Sequence, residues 1–375
     1  MIIKNVKIVK NNEIIDNGYI EIQDKLIVNI GKGNYEGSDL NVIDGNNKIA
    51  MPGFIDLHTH GGYGVDFMEA DEEQINHFAK KIYEEGVTTF LLTTLTSDMD
   101  SLKRVCNAVA NSINSSPALY GIHLEGPYIS LAYKGAQNEA YIRDCDICEI
   151  NELQESSNGN VRYITLAPET NNSSEFIKYV TDRNVVVSVG HSAAQRNHVK
   201  NAIANGLTNV THINNAMRKY GNEDADIIHE AIENKLYAEC IFDGVHINKE
   251  TLINLYNEIK EDRFVLITDS LQVKGTNVES FELFGLPCYK TNQAAYLTSG
   301  KLAGSVLTMN QAVKNAKEYL DIDLIALSKI ASTNAAKSLK LNDRGVLEKG
   351  KLADIVLLNE NLDVVDVFKN GIKVF

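Results

Sequence analysis

The stretch GFIDLHTH, residues 53–60, is a short apolar run that ends in two histidines two positions apart. Residues two apart on a β-strand project to the same face, so His58 and His60 are expected to point together. Neutral imidazoles suit divalent cations such as Zn²⁺, Fe²⁺ or Mn²⁺. The stretch therefore predicts a buried strand whose carboxyl end carries metal ligands.

The same theme recurs up to Ser270, where short β-branched runs end in polar residues and give way to helix-compatible segments such as 71–85. This alternation predicts a parallel sheet covered by helices. The eight predicted strands lie in GFIDLHTH, GVTTFLLT, LYGIHLEG, YITLAPE, VVVSVGHS, NVTHINN, YAECIFDG and FVLITDS. Eight units favour a closed, TIM-like (β/α)8 barrel. The alternative, a doubly wound open sheet, would be expected to show a Gly-rich phosphate turn after an early strand, and the sequence has none.

Both ends of the chain differ from this theme. Residues 1–51 and 345–375 consist of short alternating runs separated by turn residues, a pattern typical of antiparallel strands. We therefore predict a small discontinuous β-sandwich domain built from both termini. It would flank a catalytic barrel that spans residues 52–344.

Composition limits the possible partners and compartment. The 375 residues are 44% hydrophobic and 23% charged, as in ordinary globular proteins. The sequence has no apolar run long enough to span a bilayer. Its first residues, MIIKNVKIVK, alternate as a strand would and do not resemble a signal peptide. Five cysteines, an odd number, agree with a reducing, cytoplasmic location. A net charge of −14 disfavours nucleic acid and anionic membranes. An anionic substrate would need a local cationic pocket.

Histidines and carboxylates recur where the predicted strands end. In a parallel barrel these ends face one side and carry the catalytic residues. A single such histidine is usually a hydrogen-bonded structural residue, whereas a buried cluster without a shared ion is costly. The strand-end residues are His58, His60, His123, Glu125, His191, His212, His246 and Asp269. Together they predict a catalytic metal site.

Two other groups carry weaker signals. His77, His198 and His229 fall in predicted helices without ligand spacing, and we interpret them as surface or helix-packing residues. Cys145 and Cys148 form a CxxC with acidic flanks and no second CxxC, so we interpret the pair as a chance spacing in a helix.

Several blocks, in this order, resemble the amidohydrolase superfamily, and within it the deacetylases of amino-sugar phosphates: PGFIDLHTHG, GIHLEGPYIS, KGAQN, TLAPE, VSVGHS, THINNAM, FDGVHIN, LITDS and LAGSVLTM. The resemblance implies that Glu125, His191 and His212 bind one divalent metal, zinc first, with iron, manganese or cobalt as alternatives. It implies a second metal at His58 and His60. The alternative is a single metal, with the imidazoles of His58 and His60 contacting its ligands and not the metal itself.

The resemblance also implies the reaction: metal-dependent hydrolysis of the N-acetyl group of N-acetylglucosamine 6-phosphate, or a close N-acetyl amino sugar, to the amino sugar and acetate. Asp269 would accept a proton from the attacking water and return it to the leaving amine. A homodimer is expected. The residues placed around the sugar are Ala136, Gln137, Asn215, Ala216, Arg218, His246, Leu302, Ala303 and Gly304.

The chain departs from this pattern at groups that would touch the substrate. Gln137 stands where some relatives have histidine, and an Arg-Glu-Pro-Gly segment whose arginine holds the sugar phosphate is replaced by a stretch with Glu223 and Asp224. Arg218 and Lys219, or a cation from a partner subunit, are the candidate replacements.

These departures leave other substrates open, namely N-acetylgalactosamine 6-phosphate, an unphosphorylated N-acetyl sugar or an N-acyl amino acid. A non-catalytic binding barrel would be expected to have lost the ligands, and the full set Glu125, His191, His212 and Asp269 is present.

Overall fold

The computed structural model of the protein describes residues 1–38, 41–283 and 285–375. Its N-terminal segment forms five strands. They are β1 (Ile2–Val9), β2 (Ile14–Gln23), β3 (Leu26–Lys32), β4 (Val42–Asp44) and β5 (Ile49–Pro52). β1, β2 and β3 form an antiparallel meander, as the short alternating runs predicted.

Strands and helices then alternate through the centre of the chain. The elements are β6 (Phe54–Thr59), β7 (Gly61–Gly62), β8 (Val65–Asp66), α1 (Glu72–Lys81), β9 (Val87–Thr94), α2 (Met99–Ser112), β10 (Leu119–Glu125), α3 (Ile147–Ser156), β11 (Val161–Leu166), α4 (Ser173–Thr181), β12 (Val186–Val189), α5 (Arg196–Ala204), β13 (Asn209–Val210), α6 (Asp226–Glu233), β14 (Tyr237–Ile241), α7 (Lys249–Ile259) and β15 (Phe264–Ile267). All eight predicted barrel strands are present. β13 has only two residues.

The eight barrel strands pair in parallel in the order β6-β9-β10-β11-β12-β13-β14-β15. Hydrogen bonds between the chain after β15 and the end of β6 bring the two edges together. The Asp269 amide donates to the His58 carbonyl (2.8 Å), and the His60 amide donates to the Ser270 carbonyl (2.9 Å). The sheet is therefore a nearly closed barrel, and the predicted fold is confirmed.

Amphipathic helices cover the barrel. α1 is an example: Asp71 caps its first turn by accepting from the Gln74 amide, and the Gln74 side chain accepts from the Asp71 amide in return. Ile75 and Phe78 on the inner face are buried. Each such apolar side chain contributes roughly 1.5–3 kcal/mol of transfer free energy, which offsets the entropy of ordering the helix.

A four-stranded antiparallel sheet, which the sequence analysis did not predict, follows β15. It consists of β16 (Ser280–Leu283), β17 (Leu286–Lys290), β18 (Ala294–Leu297) and β19 (Leu302–Ser305). The Ser305 amide donates to the Asp269 carbonyl (2.8 Å), which ties β19 to the carboxyl end of the barrel. The insertion therefore contributes residues to the barrel mouth.

The last part of the chain returns to the N-terminal strands. α8 (Met309–Leu320), α9 (Leu324–Ser328) and α10 (Asn334–Ser338) precede β20 (Ile355–Leu358), β21 (Val364–Lys369) and β22 (Ile372–Lys373). β20 pairs antiparallel with β5, so the terminal domain is one continuous, mostly antiparallel sheet with its own apolar core. We propose that residues 1–51 and 345–375 together form the small domain and that residues 52–344 form the barrel domain.

The residues with weaker signals lie outside the barrel mouth. His77, His198 and His229 lie in α1, α5 and α6. Cys145 and Cys148 are both free thiols, and Cys148 lies at the start of α3. Within the described ranges, no helix has both the length and the apolar character needed to cross a bilayer.

Candidate metal centre and active site

The cluster of histidines and carboxylates forms where the barrel strands end. His58 lies on β6 and Glu125 is the last residue of β10. His191, His212 and Asp269 follow the ends of β12, β13 and β15, and each has a positive φ (49°, 29° and 49°). Non-glycine residues adopt this conformation at a cost of order 1–3 kcal/mol when the surroundings impose it. The strand ends are therefore bent so that these side chains meet.

Glu125, His191 and His212 form the first group of possible ligands. The distance from Glu125 Oε1 is 3.1 Å to His191 Nε2 and 2.9 Å to His212 Nε2, and the two Nε2 atoms are 3.1 Å apart. His191 Nδ1–H donates to the Tyr133 carbonyl (2.9 Å), which leaves the Nε2 lone pair directed at the group. These three residues can therefore present their ligand atoms to one cation.

His58 and His60 form a second group that includes the same carboxylate, Glu125. Their Nε2 atoms are 3.2 Å apart and lie 3.4 Å from Glu125 Oε1 and Oε2, respectively. Asp269 Oδ1 is 3.2 Å from His60 Nε2. Glu125 therefore belongs to both groups, and Asp269 lies beside the second.

The charges in the cluster favour ionised carboxylates. Burial opposes ionisation of Glu125, but the charges of His58 and His191 outweigh it and hold the Glu125 pKa well below its ordinary value. Burial likewise opposes ionisation of Asp269, but His58 and His60 lower the pKa of Asp269. Burial lowers the pKa of His212. The cluster therefore contains two carboxylates and a neutral imidazole in the forms that bind metal.

These side chains fit a divalent cation. Imidazole nitrogens 3.1–3.2 Å apart cannot both direct lone pairs at each other without repulsion, and a shared proton or cation removes it. Four imidazole Nε2 atoms and the oxygens of Glu125 and Asp269 converge in this way, and nitrogen and oxygen ligands of this kind bind Zn²⁺, Fe²⁺ and Mn²⁺. Both groups share Glu125, a relationship that the spacing of these residues in the sequence does not specify.

His123 is also buried in the barrel, below the cluster. Its Nδ1–H donates to the Leu57 carbonyl (2.9 Å), and its Nε2 accepts from the Thr165 hydroxyl (2.7 Å). Burial and the nearby His58 lower the pKa of His123 well below its ordinary value, so the ring is neutral. Both nitrogens have protein partners, which makes His123 a structural residue of the barrel interior.

Glu239 and Glu169 were not singled out from the sequence. Glu239, fully buried on β14, accepts from His58 Nδ1–H (3.1 Å). Glu169, in the TLAPE block, accepts from the Ser192 hydroxyl (2.7 Å) and the Ala193 amide (2.6 Å) in the loop after His191. In the sequence, Glu239 could have been noticed because it is a lone carboxylate within the apolar run YAECIF.

A cavity of about 450 Å³ opens above the cluster. Most of the predicted substrate-binding residues line it. They are Ala136, Gln137, Asn215, Ala216, His246, Leu302, Ala303 and Gly304. Gln137 also donates to Glu125 Oε2 (2.5 Å) and accepts from the Thr96 amide (2.7 Å), so it orients the carboxylate shared by the two groups.

Arg218, also predicted to bind the substrate, is placed differently. It is absent from the described residues that line the cavity, and its guanidinium is 3.4 Å from the Asp224 carbonyl. The next residue, Lys219, lines the cavity instead, together with Lys301. The loop that carries both residues also has positive φ values at Asn214 and Ala216.

Comparison with known proteins identifies related chains. The profile of the Amidohydrolase family, which is metal-dependent, matches residues 49–374. The N-acetylglucosamine-6-phosphate deacetylase of Bacillus subtilis (strain 168) is 32% identical over 374 residues, covering 97% of this chain and 94% of that protein.

Solved structures of the same kind of enzyme superpose on the whole chain. The N-acetylglucosamine-6-phosphate deacetylase of Thermotoga maritima has a TM-score of 0.92 and 33% identity, covering 100% of this chain and 99% of that one. A mutant of the Mycobacterium smegmatis enzyme, in complex with N-acetyl-D-glucosamine-6-phosphate, has a TM-score of 0.93 and 27% identity, with the same coverage of both chains.

Proposed function

Since this chain belongs to the amidohydrolase family of hydrolases, we propose that it removes the acetyl group of N-acetylglucosamine 6-phosphate, or of a close N-acetyl amino sugar, to give the amino sugar and acetate. The observation that carries the proposal is the convergence of Glu125, His191 and His212 beside Asp269 at the base of one cavity. The similarity to amino-sugar deacetylases over nearly the full chain supports the substrate class.

We assign Glu125, His191 and His212 to one divalent cation and His58 and His60 to a second, with zinc as the first choice. A cation in such a site acts as a Lewis acid, which polarises a carbonyl oxygen and lowers the pKa of water. Asp269 lies 3.2 Å from His60 and faces the cavity, so its carboxylate can accept the proton of an attacking water.

The proton on Asp269 is then available to the departing nitrogen. An amide nitrogen leaves poorly without a proton, and one carboxyl group can act first as base and then as acid. His246 is held by Asp243, whose Oδ2 accepts from His246 Nδ1–H (2.6 Å), so its other ring nitrogen is left for the sugar.

The direct test is acetate release from a small panel of substrates. The purified protein is assayed with N-acetylglucosamine 6-phosphate, N-acetylglucosamine, N-acetylgalactosamine 6-phosphate and an N-acetyl amino acid, and metal content is measured on the same sample. We expect the amino sugars to be hydrolysed and the amino acid to be spared. Hydrolysis of the amino acid alone, or of none of the four by metal-loaded protein, would contradict the proposal.

We also propose that the protein is cytoplasmic and forms a homodimer. All five cysteines are free thiols, which suits a reducing compartment. The homodimer follows from the resemblance noted in the sequence, and light scattering of the purified protein tests it.

A further inference from the structure

We propose that Lys219 and Lys301 form a cationic subsite that binds the phosphate group of the substrate, in place of the arginine that this chain lacks. The inference rests on the proposed deacetylation and names the substrate class for it. Both lysines line the cavity that contains Glu125, His191, His212 and Asp269. They come from different loops, one after β13 and one before β19.

The loop after β13 holds Lys219 in place. Positive φ values at His212, Asn214 and Ala216 (29°, 71° and 48°) fold this loop tightly. Lys219 is exposed overall, but its ammonium group is partly buried and donates to the Asn214 carbonyl (2.5 Å). The Tyr220 amide donates to the Asn214 side chain (2.7 Å). An ammonium group has three donors, so two remain for a ligand in the cavity.

Lys301 reaches the same cavity from the turn between β18 and β19. Gly300 has a φ of 85°, a conformation that favours glycine, and the Leu297 amide donates to the Lys301 carbonyl (2.8 Å). Lys301 is therefore fixed at its backbone while its side chain stays exposed. It directly precedes Leu302, Ala303 and Gly304, which line the cavity.

Charge favours an anion at these two lysines. The chain carries a net charge of −14, yet neither lysine has a carboxylate within 4.0 Å in the part of the chain that the structure describes. A phosphate monoester carries about −1.5 to −2 charges at pH 7 and offers three acceptor oxygens. Two ammonium groups beside a cavity, neither paired with a carboxylate, supply the charge and the donors that such a group requires.

Glu223 and Asp224, which lie in the stretch that replaces the arginine-bearing segment, lie away from the two lysines' cavity. Glu223 lines a separate surface depression with Tyr220, His229 and Glu258. Asp224 is exposed, and its carbonyl faces Arg218. Glu223 and Asp224 are not among the described residues lining the cavity, so neither carboxylate stands beside a phosphate bound there.

The test compares phosphorylated with unphosphorylated substrate. We would make Lys219→Met, Lys301→Met and the double variant, with Lys80→Met on α1 as a control that removes an exposed lysine away from this cavity. The readout is the ratio of kcat/KM for N-acetylglucosamine 6-phosphate to that for N-acetylglucosamine. Each charge-assisted hydrogen bond contributes about 1.5–3 kcal/mol, so we expect each single variant to lower this ratio about tenfold or more.

A second measurement does not depend on catalysis. Calorimetric titration of glucosamine 6-phosphate into wild type and the double variant should show a Kd at least about tenfold higher in the variant. Lys→Arg at either position should restore part of the affinity, because the charge is kept. Circular dichroism confirms that each variant is folded.

The outcomes separate this inference from the proposed function. If wild type prefers the phosphorylated sugar and the double variant keeps that preference and affinity, the lysine subsite is wrong and deacetylation stands. A wild type without any preference for the phosphorylated sugar also overturns the subsite. If neither sugar is hydrolysed by metal-loaded protein, the proposed function fails, and the titration alone decides whether the two lysines bind phosphate.

Discussion

Glu239 Oε2 lies 3.1 Å from His58 Nδ1, and both side chains are fully buried inside the barrel. The Nδ1–H of His58 donates to this carboxylate, so Nε2 is turned toward Glu125 and His60. Glu239 also accepts from the Tyr163 hydroxyl, which fixes the carboxylate in turn. The orientation of His58 is thus imposed from β11 and β14.

We predict that Glu239→Gln weakens metal binding at His58 and His60 by about 10- to 100-fold, because partners behind a ligand set its orientation and basicity. Metal titration with a competing chelator measures the effect. Tyr163→Phe is the matched control: it keeps the Glu239–His58 contact and should lower affinity less. Equal metal affinity and stoichiometry in Glu239→Gln and wild type would show that His58 does not depend on Glu239.

Asp269→Asn should separate chemistry from binding. The amide has nearly the shape of the carboxylate but cannot take up a proton, so kcat should fall by about 10²–10⁴-fold while KM changes little. Because Asp269 Oδ1 is also 3.2 Å from His60 Nε2, metal content must be measured in the same preparation. A variant that retains its metal and keeps wild-type kcat would exclude Asp269 as the proton carrier.

Metal binding should release protons near neutral pH. Burial alone would lower the pKa of His60, but hydrogen bonds to Asp269 and Glu125 raise it to about 9 in the metal-free protein. The ring is therefore protonated below that pH, and a cation must displace the proton to bind Nε2. Metal affinity at this group should rise with pH up to about 9.

Calorimetry in two buffers with different ionisation enthalpies measures the protons released per metal. His60→Asn removes this titrating ring and should reduce the release at pH 7. Identical release in the variant and wild type would mean that His60 is not a protonated ligand in the metal-free protein.

The strand-end residues could be predicted because one rule applies to all of them: parallel strands of a barrel end on one side. This rule grouped four residues that stand at the ends of predicted strands: His58, Glu125, His191 and Asp269. The same rule could not find Glu239, which lies within a strand and whose partner is 181 positions away in the chain.

Local backbone conformation explains the other differences. Which of Arg218 and Lys219 faces the cavity depends on the conformation of a loop that has positive φ values at Asn214 and Ala216, and no sequence period specifies such a loop. Lys301 lies between β18 and β19 of the four-stranded sheet, and each strand of this sheet has only four or five residues, too few for an alternation of apolar and polar residues to be recognised in the sequence. Side chains set by loops and insertions therefore needed the structure.

A buried ion pair next to the barrel mouth gives the last prediction. Lys274 Nζ is 2.6 Å from Glu85 Oε1, and both side chains are almost fully buried. Glu85 also accepts from the Tyr63 hydroxyl (2.8 Å) and the Met309 amide (2.7 Å). The pair thus links the loop after β15 to the end of the segment that precedes β9.

Lys274→Met should lower the free energy of unfolding by about 3–5 kcal/mol, because it leaves the Glu85 carboxylate buried without a cation. Adding Glu85→Gln should recover part of that loss, since the amide keeps its acceptor for Met309 and removes the unpaired charge. Denaturant unfolding of both variants, in matched metal-free samples, measures the difference. If the double variant were less stable than Lys274→Met, the charge on Glu85 would not be the source of the loss, and the contacts of the Lys274 ammonium group with the Tyr63 and Phe78 rings would account for it instead.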